Sequence, residues 1–258
     1  MSFQPIIGQG GYAGWKLLSR TSGMQTAMVA RDPVIMRDND HFRQEINGVE
    51  TADDLISDYR LLRTALSAFG LEADQNNRAF LRKVLESDLN DSSSLANRLG
   101  DKRYRAFAEA FGFGKNGTRA ADLADMVTRR HVEAELESRV GTQDGNLRLA
   151  MNAKRELAAL GSSSASDKTR WYSILGSTPL LKVVQGALGL GTSFGKLPID
   201  RQVEEMALRT RKLLGSDSPS VFADGANVEK LISRFLIRAD AVTGAQSNYN
   251  AALILLRN

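Results

Sequence analysis

Along most of this chain the apolar positions recur at intervals of three and four. The stretch PIDRQVEEMALRTRKLLG, residues 198 to 215, shows the pattern best: Ile199, Val203, Met206, Thr210 and Leu213 fall on one face of a helix, and Pro198 stands at its start. Asp200, Glu204 and Glu205 load the first turns, Arg211 and Lys212 the last, and Gly215 follows, the arrangement that the helix dipole favours. Residues 118 to 140 read the same way, with Ala124, Thr128, Val132, Leu136 and Val140 four apart and Leu123 and Val127 widening the stripe. Asp224 is placed to cap a later helix in which Val228, Leu231, Ile232, Phe235 and Ala239 face inward. Only five prolines occur, and no segment alternates with period two between turns. The pattern predicts an all-α chain.

An internal echo refines this. LLRTALSAFGL (61 to 71) aligns with LLKVVQGALGL (180 to 190), and LRKVLESD (81 to 88) with TRKLLGSD (210 to 217), each with five identities, if the second copy carries ten extra residues. Both copies set Gly-Leu after an apolar helix, as expected when glycine takes the left-handed position past the helix end and the leucine folds back. The expectation is a multi-helix fold of two related helical halves, with the ten-residue excess as a loop near Thr192 to Leu197. Leu62, Leu66 and Phe69 are expected to be buried together with Leu181, Val184 and Leu188, as counterpart faces of the two echoed helices. The chain then divides into a glycine-rich lead and first helix (1–32), a first half (33–140), a second half (141–242) and an apolar tail (243–258), forming one compact unit rather than independent domains. The polar run GSSSAS, 161 to 166, reads as a surface loop. In the tail, Gly244, Asn248 and Asn250 suggest a turn that sends Ala251, Leu253, Ile254, Leu255 and Leu256 back onto the body.

Composition narrows the function classes. At 258 residues, with 42% apolar and 25% charged positions, the chain is ordinary for a folded protein. A net charge of +4, with basic clusters such as Arg129-Arg130-His131 neighboured by Glu133, Glu135 and Glu137, does not make a phosphate-tracking stripe, so nucleic acid is not an expected partner. Cysteine is absent, which removes disulfides, thiolate nucleophiles and Cys-ligated metals. His41 and His131 lie ninety residues apart without a patterned partner, and His131 flanks the apolar stripe of its helix as a half-buried packing residue. No apolar run approaches the ~20 residues that span a bilayer, so membrane insertion is not expected. The start lacks a signal-peptide pattern, which suggests a cytoplasmic protein or one exported without a cleaved signal.

Two stretches invite chemistry. Gly8, Gly10 and Ala13 fall at the G-x-G-x-x-A spacing of a dinucleotide turn, and Asp32 lies about where such a fold places its ribose-binding acid. That turn needs a buried strand before it and parallel strands after it, whereas about six residues including Pro5 precede Gly8. The competing reading is a flexible lead into a helix from Tyr12 to Arg20, with Trp15 and Leu18 turned inward. In TADDLISD, the carboxylates Asp53, Asp54 and Asp58 offer a hard-metal site or an acid–base pair. Against it, Thr51 and Asp54 have capping-box spacing and Asp58 stands where it would cap the next helix. No catalytic residue, metal or cofactor is expected, these two stretches being the low-ranked candidates.

GWKLLSRT, DDLISDYRLLRTALSAFGL, KVLESDLND with ANRLGDKRYRAFAEAF, RWYSILGSTPLLKVVQGALGL and LPIDRQ together resemble an uncharacterised alphaproteobacterial family, a domain of unknown function whose genes often lie among flagellar ones. The likeness runs from about Gly14 to Ala239. Gly191 departs from the family pattern, which favours proline there. The resemblance implies an all-α protein and a flagellar context, with flagellar components as candidate protein partners, and it brings no site residues. The expected function is therefore non-enzymatic, through protein contacts in flagellar assembly or function. The alternative is a nucleotide or metal binder, or an enzyme, using the glycine-rich turn or the acidic stretch.

Overall fold

Side-chain oxygens of Asp32, Asp58, Asp101, Asp144 and Ser166 turn onto the free amides of the helices that follow them, and the left-handed glycines Gly70 and Gly112 close two of those helices. These local stop and start signals cut the chain into short helices. A computed structural model describes the backbone of residues 3–256 and the side chains of residues 3–242. The helices are α1 (Gly11–Ala30), α2 (Pro33–Glu45), α3 (Ala52–Ser57), α4 (Tyr59–Phe69), α5 (Arg78–Leu85), α6 (Leu95–Arg98), α7 (Lys102–Phe111), α8 (Leu123–Gly141), α9 (Gly145–Gly161), α10 (Asp167–Gly176), α11 (Thr178–Leu188), α12 (Ile199–Leu214) and α13 (Gly225–Leu256). No strand occurs among the described residues, and the fold is all-α. Among the described residues no helix is long and apolar enough to cross a membrane.

The chain forms two compact units, one of Met1–Pro5 with Thr21–Arg139, the other of Ile6–Arg20 with Val140–Asn258. In the first, α2 packs on α4, and α5 on α7, around Phe42, Leu62, Leu66, Leu81, Leu85, Phe107 and Phe111. Phe107 sits between Phe69 and Phe111 with ring centroids 5.3 and 5.1 Å away, both edge-on, a geometry that adds to simple burial. In the second unit α11 packs on α13 and α9, with Val183, Val184, Ala187, Leu231 and Ile232 buried. Trp15 and Leu18, from the start of α1, are buried in this second unit.

The two Gly-Leu stops are built alike. Gly70 and Gly189 have φ of 68° and 67°, and the amides of Leu71 and Leu190 reach back to Leu66 and Gln185 while the glycine amides bond Ser67 and Gly186. This double bond pattern ends α4 and α11 alike, with both leucines buried. Both units also continue with a 3-10 turn, Glu72–Asp74 or Thr192–Lys196, and a further helix.

Several expectations are corrected. α1 runs ten residues past Arg20, because nothing between Arg20 and Ala30 stops a helix except Gly23, which is tolerated inside one. The ten-residue excess of the second copy is not a loop: it goes into a longer 3-10 turn and into α12, twice the length of α5. Leu181 is only half-buried, Leu180 taking the inward place, and Ile199 is exposed. His131 is buried rather than half-buried. The turn expected around Gly244 gives way to continuous helix to Leu256, and the docking of the apolar side chains from Ala251 onward lies outside the described residues.

Candidate functional site

Gly8, Gly10 and Gly11 all adopt positive φ, at 59°, 74° and 56°. The Gly11 amide donates to Asp144 Oδ2 at 2.8 Å and the Tyr12 amide to Asp240 Oδ2 at 3.0 Å. Asp144 also caps α9 through Asn146 and Leu147. Next along α1, Trp15 Nε1 donates to Glu229 at 2.9 Å, Lys16 pairs with the same carboxylate, and Lys154 lies over the indole. A Cβ on Gly10 would stand 2.7 Å from the Asp144 carboxylate, and one on Gly11 would overlap Asp240. Gly10 and Gly11 are thus explained by how closely two carboxylates approach the backbone, and Gly8 by its positive φ alone. A helix N-terminus attracts an anion, and here the protein's own side chains occupy it.

Ala13 is exposed in the first turns of the same helix, while Asp32 follows α1 at its other end. Asp32 accepts from the Val34 amide at 3.0 Å and pairs with Arg139 at 3.0 Å, both side chains largely buried. No strand precedes Gly8 among the described residues. Gly8, Gly10 and Ala13 therefore head α1, and Asp32 heads α2.

Asp53, Asp54 and Asp58 are each engaged separately. Asp54 completes the capping box of α3, receiving the Thr51 amide at 2.8 Å while Thr51 Oγ1 receives the Asp54 amide at 3.2 Å. The Thr51 hydroxyl, then the Thr51 and Glu50 amides, lower the Asp54 pKa. Asp53 pairs with Arg82. Asp58 caps α4 through Arg60 and Leu61 at 2.8 and 3.0 Å and meets His41 Nε2 at 2.8 Å. Burial raises its pKa, but the Leu61, His41 and Arg60 contacts outweigh that and hold it low. Among the described residues no group of three or more Asp, Glu or His is placed to hold a metal.

A partly buried polar cluster joins α2, α4 and α8, with Asp38, Asn39 and His131 inside and two arginines at its rim. Asp38 pairs with Arg63, with Arg60 Nε 3.7 Å away, and Asn39 Oδ1 accepts from His131 Nδ1 at 2.9 Å. His131 is 3% exposed, and burial pushes its pKa down to about 4, with Arg63 acting in the same sense and Asp38 opposing. The imidazole is therefore neutral at pH 7. Beside the cluster lies an open hollow of about 300 Å³ with Met36 and Val132 as apolar wall and Asn39, Asp40, Arg43 and Arg129 among its polar lining. Asp38 and Asn39 escaped the residue-type reading, yet the signal is present: Ile35, Asp38, Asn39 and Phe42 follow the i, i+3, i+4, i+7 stripe, with polar residues at core positions.

Fold and site together define an all-helical protein whose conspicuous polar residues serve helix ends and buried pairs. The chain belongs to the family described as Protein of unknown function (DUF1217), whose model matches residues 68–222. It is similar to protein AGR_C_984 from Agrobacterium tumefaciens, solved by X-ray crystallography, at 27% identity and a TM-score of 0.73, over 93% of this chain and 97% of that one. No curated protein matches it.

Proposed function

We propose that this chain is a non-enzymatic helical protein that acts through protein contacts in flagellar assembly or function. The flagellar part rests on the resemblance running from Gly14 to Ala239. The contact part rests on one observation: large apolar side chains stand in water around the end of α1 and the start of α2, with Met24 57%, Met28 43%, Val34 47% and Met36 46% exposed. Exposed apolar residues gathered along one stretch of chain favour a protein interface over scattered surface variation. Deleting the gene tests the reading. Loss of swimming and of normal filaments, restored by a plasmid copy, is expected; unimpaired swimming would overturn it.

A nucleotide or metal binder using Gly8, Gly10, Ala13 and Asp32, or Asp53, Asp54 and Asp58, is the alternative. An anion at the head of α1 would have to displace Asp144 and Asp240, and a cation would have to draw the three carboxylates from separate partners. A thermal-shift screen with nucleotides and divalent metals separates the two readings, since a ligand at about 100 times its Kd adds roughly 2.7 kcal/mol.

A further inference from the structure

Within α1, the residues of the first unit show a helix with two unlike sides. Gln25 and Val29 are buried. On the opposite side Met24, Ala27, Met28 and Arg31 follow the i, i+3, i+4, i+7 order of a helix-packing seam, and all four are exposed. Gly23, beside Met24, has nothing within 4 Å of where a Cβ would sit. Two methionines and an alanine thus lie uncovered on a helix whose other side is packed. Methionine and arginine are enriched in interface cores, where aspartate and glutamate are depleted, and methionine adapts its shape to a partner.

Charge says what would cover it. From Thr21 to Arg37 the cations are Arg31 and Arg37, and the single acid is Asp32, already buried and matched by Arg139. Among the described residues Arg31 and Arg37 form no ion pair, and Arg37 Nε donates to the Pro33 carbonyl. A second copy seated on this face would bring arginines together with no acid between them, which is unfavourable.

We propose that the exposed face formed by Gly23, Met24, Ala27 and Met28 of α1, with Arg31 just past its end, docks a helical segment of another protein, one that carries an apolar stripe flanked by aspartate or glutamate. This deepens the proposed function by naming the chemistry of the partner, and it rests on the reading that the protein acts through contacts.

The test uses the full chain and two synthetic peptides of about 18 residues, five helical turns, with the same leucine stripe and either glutamate or lysine at the flanking positions. Fluorescence anisotropy is expected to show the glutamate peptide binding at least about tenfold tighter than the lysine peptide, and weakening as salt is raised. The double variant Met24→Glu, Met28→Glu, whose side chains are exposed and whose melting temperature is expected to be unchanged, loses that binding by about tenfold or more. Arg31→Glu reverses the preference between the peptides. Equal binding of the two peptides, no binding of either, or an unchanged affinity in the double variant overturns the proposal. So does a concentration-dependent dimer of the natural chain that the double variant abolishes, since the occupant is then a second copy. Peptide binding with normal swimming of the deletion strain removes the flagellar context and keeps the docking face; the reverse pair of results does the opposite.

Discussion

At Gly11 a side chain has no free volume: φ is +56° and the Asp240 carboxylate fills the Cβ position. Gly11→Ala therefore meets a left-handed conformation, worth about 1–2 kcal/mol, and also pushes away the carboxylate that caps Tyr12. A loss of roughly 2–3 kcal/mol in urea unfolding is expected; a variant as stable as the natural chain would show that the lead into α1 can rearrange freely. His131 gives a second prediction. Its pKa falls from 6.5 when unfolded to about 4 when folded, so its neutral form favours the folded state above pH 6.5 and that contribution fades as pH drops toward 4. His131→Gln keeps a donor for Asn39 and takes up no proton. Between pH 7 and 4.5 the natural chain is expected to lose on the order of 2 kcal/mol more stability than the variant; parallel pH profiles would refute the assignment of a buried neutral imidazole.

Among the elements, α4 and α11 make the sharpest pair. Both stop at a left-handed glycine with the same two backward hydrogen bonds, and a Cβ at Gly70 or Gly189 would meet only the side chain of Arg103 or Arg238. Gly70→Ala and Gly189→Ala are expected to cost similar amounts, about 1–2 kcal/mol each, dominated by backbone strain and readable as matched shifts in chemical denaturation. Costs that differ widely would mean that the two ends, alike in bonding, differ in how the neighbouring side chains give way. The caps at this scale were legible before any coordinates: Thr51 with Asp54, Asp58, Asp224 and the two Gly-Leu pairs are decided by residues within four positions of each other. Helix lengths were less so. α1 outran its expected end because no stop signal but the tolerated Gly23 stands between Arg20 and Ala30, and Thr192–Lys196, expected as loop, closed into a 3-10 turn ahead of α12, whose own span the periodicity had marked.

For the whole molecule, the two units are built from interleaved stretches of chain, and α1 and α8 each contribute residues to both. Melting either unit removes part of a helix from the other. Calorimetry of the full chain is expected to show one transition, and two well-separated peaks would show independent unfolding. What the sequence by itself determined is the class of fold, the helix caps, the left-handed glycines and most of each inward stripe, because these depend on local backbone chemistry and on a periodicity of 3.6 residues. Tertiary structure decided the rest. It joined Asp38 and Asn39 to Arg63 and His131 across as many as 92 residues, brought Asp144 and Asp240 to the head of α1 across 133 and 228, and left Met24 and Met28 uncovered. Such pairings depend on which helices pack together, and an apolar residue at helical spacing carries no mark of whether its neighbour is the protein's own core or water.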